Sequence, residues 1–264
     1  METSLLLNLS TPVLGIAVVL AITLLALAGL ALVRRSVALS TLESHHEVAG
    51  FILALVGVVY AVLLAFVVIA VWEQFEDAKS GADREAAMVG SLYRDALVLD
   101  ANGPLPRATE AYARSVVDRE FPAMEEDHRD SPATDIALNR TWRALRSVRP
   151  GRGGGAAFYE QSVSDLHDVT EVRSTRIQSS GAQLPGPMWA VLLVGAAIVI
   201  GSTYFFGVAN FRAQALMVGS LASIVGLVLF LILALDLPFT GDVGVSSSAM
   251  EDTIEEFPAA RSGA

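Results

Sequence analysis

Four uncharged, apolar runs set the layout of this chain: Pro12–Val33, Val48–Trp72, Met188–Ala209 and Ala213–Leu235. Each exceeds the ~20 residues that a helix needs to cross a bilayer core. Backbone amides and carbonyls cannot go unpaired in lipid, so all four runs are predicted to be helices. Thr11-Pro12 suits a helix start, because Pro in the first turn loses no needed hydrogen bond. Arg34 and Arg35 stop the first span, and Asp236 and Pro238 stop the last. Only Asn210-Phe211-Arg212 separates the third span from the fourth, which predicts an antiparallel hairpin. The first run is too long and lacks the basic flank of a signal peptide, so it reads as a span.

The stretch from Val48 to Asp100 organises the rest. Beyond Trp72 the apolar positions thin but keep a helical period through Phe75, Ala78, Ala82, Val89, Leu92 and Leu99. No stop signal intervenes before Asn102-Gly103-Pro104, which predicts one helix that begins in lipid and ends in water. A second helix is expected from Pro106 to a kink or end at Pro122, and a third from Ser131-Pro132 to about Arg149. A glycine-rich tip at Gly151–Gly155 precedes a fourth, over about Ala156–Gln178. The expected fold is all-α: an integral membrane protein with four transmembrane helices and a helical soluble layer inserted between spans two and three. The expected divisions are 12–72 for spans one and two, 73–187 for the insert, 188–236 for spans three and four, and 237–264 for a loose acidic tail.

Composition sharpens this picture. Hydrophobic residues make up 53% of the chain and charged residues 17%. Soluble domains carry closer to ~25% charge. The net charge of −10 excludes a nucleic-acid binder, which needs a basic surface. There is no cysteine, hence no thiolate nucleophile or Cys-ligated metal. One lysine beside many arginines, with abundant Ala and Gly, is the bias of a high-GC bacterium.

Several residues invite a role. Gly50, Ala54, Gly57, Ala61 and Ala65 line one side of span two, and small residues at this spacing let membrane helices approach closely. Val58, Val62 and Phe66, spaced by four, read either as a lipid-facing ridge or as a constriction that gates ions by dewetting. His45-His46-Glu47 lacks the spacing of a metal site and reads as the start of a helix at the membrane interface. Arg140, Arg143, Arg146 and Arg149 step by three. They read as a solvated face paired with Glu125, Glu126, Asp127 and Asp130, or as a contact for lipid head groups. Asp236, at the end of span four, is a pore-mouth or cap candidate. No charge falls well inside a span, which argues against a proton-coupled pump. No nucleophile–base motif, dinucleotide fingerprint or metal motif occurs, so neither an enzyme nor a cofactor is expected.

Longer stretches carry a resemblance. Glu47–Phe51, Gly57–Phe66 and Val71–Phe75 resemble the signature of the bacterial bestrophin-like domain family. So do Leu184-Pro185 with Trp189, Tyr204–Gly207, Ala215–Met217 and Leu235–Phe239. Bestrophins are pentameric anion channels whose second span lines the pore with apolar residues four apart. The resemblance therefore implies a homo-oligomeric channel in the bacterial inner membrane, with Val58, Val62 and Phe66 on the pore and inorganic anions as its cargo. Two positions depart from the bestrophin pattern: Val67–Val71 stays apolar where bestrophins turn polar, and Leu237 stands where an Arg is common. A bestrophin arrangement implies an insert in the cytoplasm. The loop arginines Arg34, Arg35 and Arg212 lean the other way, placing the short loops inside and the insert outside. The rival reading is a non-conducting membrane-anchored interaction or sensing module, built on the helical insert.

Overall fold

In the computed structural model of the chain, residues 11–37, 46–149, 154–206, 208 and 210–262 are described, with the side chains of 46–49 and 154 left out. The described residues are helical almost throughout and contain no strand. Among the described residues nine α-helices follow in order: α1 Thr11–Ser36, α2 His46–Asp100, α3 Pro104–Ser115, α4 Phe121–Asp127, α5 Pro132–Ser147, α6 Gly154–Gly181, α7 Gly186–Ser202, α8 Phe211–Leu235 and α9 Ser248–Ser262. Four of these are long and apolar enough to cross a membrane: α1, α2, α7 with its 3₁₀ extension to Phe205, and α8. The chain divides into two compact units, Met1–Glu73 with Gln183–Asp236 and Gln74–Ala182 with Leu237–Ala264.

In the first unit α1 and α8 form the most extensive helix pair. They meet closely because α8 carries a glycine at the crossing: a Cβ on Gly226 would stand 3.3 Å from the Cα of Val19. Thr23 and Ser223 share a hydrogen bond of 3.0 Å across the same pair. Asn210 opens α8 as a side-chain cap, its Oδ1 accepting from the backbone N–H of Arg212 at 3.0 Å. The expected hairpin partner α7 also touches α8, but α1 is the principal one. The helix of the third apolar run, with its 3₁₀ extension, ends earlier than the run predicts, at Phe205.

The second unit packs the C-terminal half of α2 with α3, α5, α6 and α9 around Leu92, Leu105, Tyr112, Leu145, Leu166 and Phe257, all buried. Two expectations are corrected here. Pro122 does not end its helix but lies in the first turn of α4. A π-helical turn, Val116–Glu120, changes the hydrogen-bond register just ahead of it, so the missing N–H of Pro122 falls in the first turn of α4. Residues 237–262 are not a loose tail. Phe239 is buried against Ala78, Ala82 and Met124, and α9 lays Met250 and Phe257 into the core, with the Phe257 ring stacked 3.9 Å from Tyr93.

Candidate functional site

The apolar part of α2 has two unlike sides. Tyr60, Leu64, Val67 and Val71, at helical spacing, are 6%, 8%, 3% and 0% exposed. They form the side that packs within the unit. The Tyr60 hydroxyl donates to the Leu192 carbonyl at 2.9 Å, and its ring lies where a Cβ on Gly195 would stand, 2.5 Å from Cε2. Only glycine fits at 195.

Val58, Val62 and Phe66 are 62%, 50% and 68% exposed. At 3.6 residues per turn the centre of this stripe lies roughly 170° round the helix from the packed side. One chain therefore leaves the stripe uncovered. The small residues lie between the two, roughly 100° from the stripe. Ala54, Ala61 and Ala65 are exposed, Gly50 sits near the Phe206 ring, and nothing lies within 4 Å of a Cβ built on Gly57. They are therefore not the packing face within one copy. The glycine that admits α2's close neighbour is Gly195 of α7, which sequence spacing did not single out. An apolar groove of about 460 Å³ runs along this small-residue edge, between Gly57, Ala61 and Ala65 and the α8 residues Leu221, Ile224 and Val228.

Asp236 is buried and both its oxygens are engaged. Oδ1 accepts from the Leu184 N–H at 2.7 Å and Oδ2 from the Trp189 indole at 3.2 Å. This carboxylate ties the start of α7 to the end of α8, the geometry of a cap. Arg140, Arg143, Arg146 and Arg149 are all exposed, and among the described residues no ion pair joins them to Glu125, Glu126, Asp127 or Asp130. His45 and Gly151–Gly153 lie outside the described residues, while His46 and Glu47 lie in the first turn of α2. Among the described residues no three His, Asp or Glu side chains are grouped as a metal site.

The second unit holds a buried charge network that sequence reading missed. Arg176, with no exposed side-chain surface, donates to Glu85 at 2.7 Å and to Glu120 at 2.7 Å. Arg173 also pairs with Glu120, and with Asp135 at 2.7 Å. The Tyr112 hydroxyl donates to Glu85 at 2.6 Å, and the Arg176 guanidinium lies 5.1 Å from the Phe121 ring centre. Burial alone would raise the Glu120 carboxyl, but the hydrogen bonds and charges of Arg173 and Arg176 outweigh it and hold it below its ordinary value. Burial, then the Glu85 charge, pushes the Tyr112 hydroxyl well above its ordinary value. The signal was present in α6: Leu166, Val169, Arg173, Arg176 and Ser180 share one inward period, so the two arginines occupy core positions. Nearby, Asp95 is raised by burial and then by the charge of Asp165, and each carboxylate has one buried oxygen without a hydrogen bond.

Known structures share this helical arrangement. A crystal structure of a bacterial bestrophin homologue from Klebsiella pneumoniae, carrying a single substitution, matches with a TM-score of 0.72 and 15% identity, over 93% of this chain and 99% of the other. A second single-site variant of that homologue matches equally, again at 0.72 and 15%. A structure described as a membrane protein matches at 0.72 and 16%, over 94% and 98% of the two chains. The fold is thus that of the bacterial bestrophin homologues. The bestrophin-like domain matches residues 20–250, and the chain belongs to the bestrophin-like family. No curated protein matches it.

Proposed function

We propose that this protein is a multi-pass protein of the bacterial inner membrane, in which several copies ring a pore and conduct inorganic anions. The observation that carries this reading is the apolar stripe Val58, Val62 and Phe66, turned directly away from the side of α2 that packs within one copy. In a ring with the stripe on the axis, the adjacent edge of α2 faces the next copy. That edge holds Ala54, Ala61 and Ala65, whose small side chains allow helices to approach, beside an apolar groove. A channel so lined passes ions only when the constriction is wetted, so its side chains set conductance without binding the ion. Asp236 is a structural clamp rather than a pore-mouth group, since both oxygens are engaged. Membership of the bestrophin-like family and the shared fold support the channel class.

The absence of native cysteine makes the lining directly testable. A single cysteine at Val62 should react with a water-soluble thiol reagent and slow anion flux in liposomes. One at Leu64, on the packed side, should do neither. Equal reaction at both positions, or none at Val62 in a conducting protein, would overturn the assignment.

A further inference from the structure

Each chain carries two exposed charged helix faces of opposite sign in its second unit. On α5, Thr134, Ala137, Leu138, Thr141, Ala144 and Leu145 are buried, and Arg140, Arg143 and Arg146 point the other way. Ile136, 52% exposed, lies among these arginines. On α9, Met250 and Phe257 are buried, and Glu251, Asp252, Glu255 and Glu256 are exposed on the opposite side. Arg94 of α2 reaches Glu256 at 3.7 Å, and one turn along α2 from Arg94 is the exposed Val98. The α5 face therefore combines charge with one uncovered aliphatic side chain, the make-up of an apolar contact with a charged rim.

The two faces are held at different places: α5 packs on α3, and α9 packs on α3 and on Tyr93 of α2. Toward α5, α3 offers the carbonyls of Ala108 and Ser115 to Thr141 and Thr134. The helix α9 is anchored on α2 instead, through the Phe257 ring stacked on Tyr93 and the Thr253 hydroxyl donating to the Ala86 carbonyl. Complementary patches at different places on one copy associate head to tail, and such contacts close into a ring where the rotation between copies permits.

We infer that the arginine face of α5 in one copy receives the acidic face of α9 from the neighbouring copy. This rests on the oligomeric reading above and adds to it a contact outside the pore helices. A second copy fits better than a lipid surface because the chain itself supplies the matching charge. Arginine also suits paired contact with carboxylates, which it meets through two N–H groups at once.

The test uses the full chain in detergent. Two differently tagged single-cysteine variants, Arg143→Cys and Glu255→Cys, are co-expressed and oxidised. A cross-linked dimer carrying both tags is expected. In parallel, R140E/R143E/R146E should weaken the oligomer on native mass spectrometry, and adding E251K/D252K/E255K to it should restore the assembly. Far-UV circular dichroism checks that the variants remain helical. An intact oligomer with no mixed cross-link, indifferent to both charge reversals, would overturn this contact and leave the ring itself standing. A monomeric wild type would overturn the ring. Co-purified anionic phospholipid lost in the arginine variant, with no mixed cross-link, would assign the face to head groups instead.

Discussion

Replacing Arg176 by Met separates a buried ion pair from its surroundings with little change in volume. Arg176 is fully buried and, among the described residues, is the one guanidinium bonded to Glu85, at 2.7 Å and 3.2 Å. Without it Glu120 keeps Arg173, but among the described residues Glu85 keeps only the Tyr112 hydroxyl. Breaking a buried pair by removing one partner costs about 3–5 kcal/mol, because the remaining charge is dry and unpaired. At roughly 2–4 °C per kcal/mol for a chain of this size, the melting temperature should fall by roughly 6–20 °C. The pH dependence follows from the signs. Glu120 is held below its ordinary value in the fold, so its contribution is present at neutral pH and is lost as pH falls below the usual carboxylate range. In Arg176→Met, Glu120 keeps one guanidinium instead of two, so less of that contribution is there to lose on acidification. The gap between wild type and variant should therefore narrow on acidification from pH 7 to about 4, near the ordinary Glu value. The assay is thermal unfolding of the detergent-solubilised protein, followed by circular dichroism across that range. The double variant Glu85→Gln/Arg176→Met should recover part of the loss. A drop of less than about 2 °C at pH 7, or a gap that widens on acidification, would refute the reasoning.

Other expectations follow from single contacts. Gly195→Ala places a methyl 2.5 Å from the Tyr60 ring and should destabilise by about 1–3 kcal/mol, read as a lower melting temperature. Asp95→Asn removes a charge that burial and Asp165 both disfavour, so it should raise the melting temperature at pH 7 and lose that advantage near pH 4. A single cysteine at the exposed Glu126 reports sidedness. The loop arginines predict labelling by an impermeant maleimide in intact cells. Protection until lysis would instead put the second unit in the cytoplasm, as the bestrophin arrangement implies.

The four long apolar helices were legible because a charge-free run of this length has few readings other than a helix. α1, α2 and α8 follow their apolar runs closely. The continuity of α2 past Trp72 was legible too, since its helical period persists without a breaker. The buried network was not. Glu85, Glu120, Arg173 and Arg176 look like surface charges until their neighbours' period is traced, and their pairing joins residues up to 91 apart in sequence. The terminal helix was hidden by composition: serines and acids around Met250, Thr253, Ile254 and Phe257 mask an amphipathic period. The uncovered stripe on α2 was visible as spacing, but its relation to the packed side needed the positions of Tyr60, Leu64, Val67 and Val71.

The central claim is that anions pass along the Val58, Val62 and Phe66 stripe. The direct measurement is chloride flux from liposomes holding the purified protein, beside Phe66→Ala. The account predicts protein-dependent flux that rises in the variant, because removing the ring widens and wets the constriction. No flux from a folded, oligomeric protein, or flux identical in Phe66→Ala, would contradict it.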